Sequence, residues 1–123
     1  MNKSDYDILI IDDSKYVIDF MERFLEHKGF SSKAVNSTLQ ASEELKFNKP
    51  KLIILDINLP DSNGYEFCNM VKSSEKYKDI LVYYFSGIPE SEVAVKTIET
   101  KADGYLKKPF DVTDFDDLLE YLD

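Results

Sequence analysis

The stretch Leu52-Ile53-Ile54-Leu55-Asp56 is the clearest strand pattern in the chain. Four consecutive aliphatic residues are typical of a strand that is buried on both faces, as the strands of a parallel sheet are. The run ends in a carboxylate, and a carboxylate at the end of a buried strand needs a cationic partner or a chemical role. The stretch therefore predicts a parallel sheet with a functional group at its carboxyl end.

Apolar runs alternate with amphipathic stretches on both sides of this segment. The alternation predicts five βα units, a parallel sheet covered by helices, and hence an α/β fold. The weakest predicted strand is polar enough to lie at an edge of the sheet. The predicted strands cover residues 6–11, 31–35, 52–56, 80–85 and 105–106, and the predicted helices cover about 14–28, 39–47, a segment through 65–71, a segment from 89 and the C-terminus.

Several residues indicate where these helices begin and end. Gly29 predicts the end of the first helix, and Pro89 suits the first turn of the fourth. Thr113 with Asp116 resembles a capping box at the start of the last helix. The apolar stripe of the first helix is Val17, Met21, Phe24 and Leu25. The fourth helix carries Val93, Ala94 and Ile98, and the last helix buries Phe115, Leu118, Leu119 and Leu122.

Size and charge exclude several classes of protein. The 123 residues predict one domain, 1–123, with a single core. A formal net charge of −9 repels nucleic-acid phosphates and anionic lipid, so we expect neither nucleic acid nor a membrane as a partner. The single cysteine, Cys68, forms no internal disulfide and is expected to fill the core. We expect a cytoplasmic protein without a signal peptide or membrane span.

Polar residues follow the predicted strands at the points where the strands end. Asp12-Asp13 follow the first strand, Asp56 closes the third, and Ser86 and Lys108 come after the fourth and fifth. Because ligands bind at the carboxyl ends of the strands in an open parallel sheet, we expect these residues on one rim. Carboxylates suit Mg²⁺, and a carboxylate beside Mg²⁺ can attack phosphorus. The ammonium and the hydroxyl would then bind phosphoryl oxygens.

Each of these residues also has a simpler interpretation. Asp13 or Ser14 would cap the following helix, and an Asp-Asp pair is common in turns. Lys108 is typical of a solvated lysine, and Ser86-Gly87 is typical of a turn. The convergence of all these positions on one rim favours a metal and phosphoryl site.

The order of these residues closely resembles the receiver domain of two-component response regulators, over the whole chain. The most specific segments are Asp56-Ile-Asn-Leu-Pro-Asp-Ser-Asn-Gly64 and Asp103-Gly-Tyr-Leu-Lys-Lys-Pro-Phe110, with Asp12-Asp13 and Ser86 at matching spacing. The resemblance implies a flavodoxin-like, doubly wound (βα)5 fold whose central five-stranded parallel sheet has the order 2-1-3-4-5. The length adds the expectation of a stand-alone receiver without an effector domain.

The resemblance further implies that Asp56 accepts phosphate from a histidine kinase or a phosphotransfer protein. Asp13, Asp56 and the backbone carbonyl of Asn58 would bind Mg²⁺, or Mn²⁺ in its place, and Asp12 would act largely through water. Ser86 and Tyr105 would form a switch pair that remodels the face of the fourth helix, fifth strand and fifth helix for a downstream protein target. Such a protein is not an enzyme beyond its own phosphorylation and dephosphorylation, and is expected to be a monomer that phosphorylation can dimerise.

Three features depart from the common pattern of that family. Lys101 stands where a glycine is frequent, and Ser86 replaces the more frequent threonine. The fourth strand is aromatic, with Tyr83-Tyr84-Phe85. No departure removes a group that the site needs, but the aromatic strand leaves the repacking around Tyr105 open.

Two other functions are weighed against this one. An aspartate-nucleophile phosphatase similar to the haloacid dehalogenases would also use Asp56, Ser86 and Lys108. In that family the acidic pair follows the lysine, and an acid stands where this chain has Asn58, which cannot protonate a leaving group. A flavodoxin-like nucleotide binder would need a Gly- or Ser/Thr-rich phosphate loop after the first strand, and none is present. We therefore expect the phosphoacceptor switch.

Overall fold

A computed structural model describes residues 4–59, 64–108 and 111–122. Its sheet has the strand order β2-β1-β3-β4-β5, and each neighbouring pair is parallel. This arrangement confirms the predicted α/β, flavodoxin-like fold. The strands are β1 (Ile8–Ile11), β2 (Ser32–Val35), β3 (Leu52–Asp56), β4 (Leu81–Ser86) and β5 (Gly104–Lys107).

A helix follows each strand, and the first four helices are the crossover connections that consecutive parallel strands require. In the described part of the chain, none of the helices combines the length and the apolar character that a membrane span requires. The helices are α1 (Lys15–His27), α2 (Thr38–Leu45), α3 (Gly64–Ser73), α4 (Glu90–Thr100) and α5 (Val112–Leu122).

The core lies on both faces of the sheet. Because successive side chains of a strand point to opposite faces, β1 sends Leu9 and Ile11 to one side and Ile8 and Ile10 to the other. β3 divides its side chains in the same way, which explains why both strands are apolar throughout. On one face the strands pack with Phe67, Cys68 and Val71 of α3 and Val93 of α4, and on the other with Met21 and Leu25 of α1 and Phe115, Leu118 and Leu119 of α5.

The ends of α1 follow its sequence signals. The Ser14 side chain accepts a hydrogen bond from the Val17 N–H, which makes Ser14 the N-cap. The helix ends before Gly29, whose φ of 90° costs a glycine little. His27 lies in the last turn of the helix and is exposed.

The predicted capping box at the start of α5 is wrong. Asp111 Oδ1 accepts hydrogen bonds from the N–H groups of Thr113 (2.9 Å) and Asp114 (3.2 Å), so Asp111 is the cap. Thr113 lies inside the helix, and Asp116 pairs instead with Lys28 Nζ at 3.0 Å. An aspartate is an equally good cap, and its position lets the helix begin at Val112.

The fourth βα unit differs from the prediction in the end of its strand and the start of its helix. β4 extends to Ser86, so this residue is the last of the strand rather than part of the following turn. Pro89 is the N-cap of α4 and lies just before the first turn. Val93 is buried whereas Ile98 is 79% exposed, since positions five apart on an α-helix point roughly 140° away from each other. Lys101 adopts the left-handed conformation, with φ of 62°, where glycine is frequent in the family it resembles.

Candidate functional site

Two buried carboxylates lie side by side at the carboxyl end of the sheet. Asp56 is the last residue of β3 and is 3% exposed, and Asp12 directly follows β1 and is 1% exposed. β1 and β3 are neighbours in register, with Ile11 opposite Leu55, so the next residue of each strand meets the other. With the exposed Asp13, they offer three carboxylate oxygens within 4.8 Å of one another.

Backbone N–H groups orient both buried carboxylates. The Ser14 N–H donates to Asp12 Oδ1 and the Asn58 N–H donates to Asp56 Oδ1, each at 2.9 Å. In both cases the donor is two residues after the aspartate, which is the geometry of an Asx turn. One oxygen of each carboxylate is thereby held by the backbone of its own loop.

Lys108 is the cation of this site. Its Nζ lies 3.4 Å from Asp56 Oδ2 and 3.7 Å from Asp12 Oδ2. The Lys108 N–H donates to the Ser86 carbonyl at 2.8 Å, which fixes the start of the side chain beside β4. The ammonium also lies 5.1 Å from the centre of the Phe85 ring. Lys108 is therefore anchored toward the carboxylates and is not a freely solvated lysine.

The negative charge of the site exceeds what one lysine neutralises. Burial raises the pKa of Asp12, and the neighbouring Asp56 and Asp13 raise it further, against the opposing effects of the Ser14 N–H and Lys108. Within the described residues, Asp12 Oδ2 is buried and accepts no hydrogen bond. A buried anionic oxygen with no donor is unfavourable, and a hard divalent cation that prefers oxygen ligands would satisfy it. The donor set fits Mg²⁺.

Ser86 lies at the same end of the sheet but has a separate local contact. It is 2% exposed, and its Oγ accepts a hydrogen bond from the Ile88 N–H at 3.0 Å. Asn58 is exposed, and its backbone adjoins Asp56 through the N–H described above. The predicted motif residues Pro60 to Asn63 and Pro109-Phe110 lie outside the described residues.

Tyr105 is engaged with α4 rather than with the carboxylates. Its hydroxyl donates to Glu90 Oε1 at 2.9 Å, and Glu90 Oε2 accepts from Lys107 Nζ at 3.2 Å. Glu90 did not stand out in the sequence. A glutamate in the first turn of a helix is common on electrostatic grounds alone, so only its tertiary contact distinguishes it.

A parallel five-stranded sheet of this order, with buried aspartates and a lysine at its carboxyl end, defines a class of α/β domains with an acidic site at the end of the sheet. The family of the response regulator receiver domain matches residues 8–121, and the chain belongs to this family. Receiver domains are signalling modules that bind Mg²⁺ in an acidic pocket and interact with histidine kinases and downstream effectors. This assignment decides between the receiver and the haloacid dehalogenase alternative in favour of the receiver.

Individual relatives agree with this assignment. The transcriptional regulatory protein CusR of Escherichia coli K12 is 35% identical over 103 residues, which are 84% of this chain and 44% of that protein. The chain spans less than half the length of the curated relatives it matches.

Solved structures agree as well. The signal receiver domain of a DNA binding response regulator from Colwellia psychrerythraea has a TM-score of 0.88 at 25% identity and covers 96% of this chain and 98% of that one. The BeF3 activated DrrB receiver domain has a TM-score of 0.81 at 25% identity and covers 95% and 96%.

Proposed function

We propose that this receiver domain accepts a phosphoryl group on Asp56. The observation that carries the proposal is the position of Asp56: a buried carboxylate at the end of β3, held by the Asn58 N–H at 2.9 Å and facing Lys108 Nζ at 3.4 Å. One Asp56 oxygen attacks phosphorus, a P–O bond forms, and the P–N bond to the donor histidine breaks. The departing imidazole nitrogen keeps the electron pair and takes up a proton. Hydrolysis by water later returns free phosphate and the Asp56 carboxylate.

Asp12, Asp13, Asp56 and the backbone carbonyl of Asn58 are the residues that would hold Mg²⁺. The ion, or Mn²⁺ in its place, supplies positive charge that neutralises the transferred phosphoryl oxygens and orients them. Asp12 and Asp56 are pre-oriented by their own loop N–H groups, so their remaining oxygens are available at little entropic cost. Asp12 would act on the ion largely through water.

Lys108 and Ser86 bind the oxygens of the transferred group. Lys108 Nζ already faces both carboxylates, so it can turn to a phosphoryl oxygen without leaving the site. The Ser86 hydroxyl has a proton to donate, since its present bond to the Ile88 N–H uses the oxygen as an acceptor. These contacts lower the charge repulsion that opposes attack by a carboxylate on a phosphoryl anion.

The output of the site is a change in the face made by α4, β5 and α5. That face carries a groove of about 580 Å³ that includes Tyr83, Glu90, Tyr105 and Lys107. Phosphorylation draws the Ser86 hydroxyl inward, Tyr105 moves toward the core, and the groove changes shape for a downstream protein target. The donor is a histidine kinase or a phosphotransfer protein, and the phosphorylated domain is a monomer or a dimer.

A labelling experiment tests the proposal. The protein is incubated with Mg²⁺ and a small-molecule phosphodonor, and the added mass is measured before and after hydroxylamine, which cleaves acyl phosphates. One phosphoryl group is expected on the wild type and on Asp117→Asn, a matched variant on the exposed side of α5. None is expected on Asp56→Asn, and equal labelling of that variant would overturn the assignment.

A further inference from the structure

A single carboxylate at the start of α4 holds two side chains of β5. Glu90 Oε1 accepts from the Tyr105 hydroxyl at 2.9 Å, and Oε2 accepts from Lys107 Nζ at 3.2 Å. Tyr105 and Lys107 are two residues apart on one strand, so both point to the same face of the sheet. α4 packs on that face beside β5, and its first residue reaches both.

The protonation states of these groups favour the contact. The hydrogen bond from Tyr105 lowers the pKa of Glu90, and the Lys107 ammonium lowers it further. The same hydrogen bond raises the pKa of Tyr105. At neutral pH the carboxylate is ionised and the phenol protonated, so the Tyr105–Glu90 bond is charge-assisted and stronger than a neutral one.

A short backbone path joins this contact to the phosphoryl site. Ser86 Oγ accepts from the Ile88 N–H, two residues before Glu90. Ser86 is also the cross-strand partner of Lys107. The position of the Ser86 hydroxyl therefore helps to set where α4 begins, and with it the position of the Glu90 carboxylate.

We propose that Glu90 is a positioning residue that holds Tyr105 outward in the unphosphorylated protein, and that movement of Ser86 releases it. This inference rests on the proposed function and adds the group that opposes the switch. When a phosphoryl oxygen draws in the Ser86 hydroxyl, the acceptor of the Ile88 N–H moves with it. The start of α4 shifts, the Glu90–Tyr105 hydrogen bond lengthens, and the tyrosine is free to turn inward.

The proposal has a thermodynamic consequence. A ligand that prefers the inward state binds with an apparent dissociation constant that falls as the inward population rises. Removing the Glu90 carboxylate removes a bond of the outward state only. The apparent affinity for a phosphoryl mimic should then rise by about threefold to tenfold, the range expected for one exposed charge-assisted hydrogen bond.

The test uses the full chain with saturating Mg²⁺ and beryllofluoride as the mimic. Glu90→Ala is compared with Glu92→Ala, because both glutamates lie in the first turn of α4 and contribute alike to charge and helix dipole. The hydrogen bonds of Tyr105 and Lys107 go to Glu90 and not to Glu92. Burial raises the pKa of Tyr65, and the negative charge of Glu92 helps to raise that pKa further. Affinity is measured by calorimetry, and the Tyr105 ring is followed by NMR after assignment with Tyr105→Phe.

Tighter beryllofluoride binding by Glu90→Ala alone, with the unliganded Tyr105 ring signal shifted toward its liganded position, supports the proposal. Wild-type affinity and an unshifted ring signal in Glu90→Ala would overturn it. Failure of the proposed function gives a different result, namely that Asp56→Asn binds beryllofluoride as well as the wild type does. Even in that case, the ring signal of unliganded Glu90→Ala tests whether Glu90 holds Tyr105 outward.

Discussion

Lys108 Nζ lies 3.4 Å from Asp56 Oδ2 and 3.7 Å from Oδ2 of the neighbouring Asp12. One ammonium thus partly neutralises two buried carboxylates that lie at the ends of two neighbouring strands. Because Asp13 adds a third carboxylate nearby, the negative charge of the site exceeds the single positive charge of Lys108. A divalent cation bound at these carboxylates would therefore compete with the Lys108 ammonium for them.

Replacing the lysine should separate metal binding from phosphoryl transfer. Lys108→Gln removes the cation that faces Asp56, and phosphorylation by a small donor should slow by about 10²-fold, as when one charge-stabilising donor is lost. Mg²⁺ should bind more tightly, since the competing ammonium is gone. Rates are measured by mass spectrometry and affinity by calorimetry.

Lys51→Gln is the matched control for that experiment. It removes the same charge from an exposed side chain before β3, at the opposite end of the strand from Asp56. Both measurements should stay at wild-type values. Unchanged phosphorylation in Lys108→Gln would show that the ammonium does not act on the transferred group.

Asp12→Asn should stabilise the Mg²⁺-free protein at neutral pH. Burial raises the folded-state pKa of Asp12 above its ordinary value of 3.8, so the ionised form opposes folding. The favourable contribution of protonated Asp12 is fully present below the unfolded-state pKa and is lost as the pH rises through the folded-state pKa. The amide cannot ionise, so the variant should gain about 1 kcal/mol at neutral pH and nothing near pH 3.8 or below.

Urea unfolding of Asp12→Asn and the wild type across a range of pH measures whether the substitution raises the free energy of unfolding at neutral pH. Adding Mg²⁺ should stabilise the wild type more than the variant, because binding to the folded state adds to its stability. A variant that loses stability equally at all pH values would contradict the assigned electrostatic cost of Asp12.

Gly104→Ala should destabilise the protein. A Cβ at Gly104 would lie 2.5 and 2.7 Å from ring atoms of Tyr83, its cross-strand neighbour. The ring would have to move, at a cost of about 1–3 kcal/mol. At Gly87 the nearest contact of a Cβ is 3.8 Å, so Gly87→Ala should unfold at nearly the wild-type urea concentration.

A double variant identifies the cause of that loss. Tyr83→Ala removes the ring, so adding Gly104→Ala to it should cost little more. If the glycine substitution were as costly without the ring, the clash with Tyr83 would not be its origin.

The buried hydrogen bond between Tyr84 and Thr100 can be tested with a double-mutant cycle. Thr100 Oγ1 donates to the Lys96 carbonyl at 2.7 Å, so the Tyr84 hydroxyl, 2.5 Å away, donates to Thr100. Thr100→Val leaves that hydroxyl without its acceptor in the core and should cost about 1–3 kcal/mol. In the Tyr84→Phe background the same change should cost much less. Additive losses in thermal unfolding would contradict the pairing.

The fold and the residue types of the candidate site were predictable because each depends on local pattern. Continuous apolar runs identify β1 and β3, and the following polar residues mark the strand ends. The cap of α5 could not be predicted in this way. Thr113 and Asp111 are both residue types that cap helices well, and only the path of the chain into the helix selects Asp111. Motif spacing also could not tell which of the two adjacent aspartates is buried.

The sequence by itself determined the order of strands and helices and placed the candidate site residues at the strand ends, because alternation, apolar runs and strand-end polarity are properties of neighbouring residues. Only the tertiary structure decided that Asp12 is buried and Asp13 exposed. The Asp12 N–H donates to the Val35 carbonyl and so extends the ladder to β2 by one residue before the chain turns away. It likewise decided that Glu90 meets Tyr105, since that contact depends on how α4 is placed across β5.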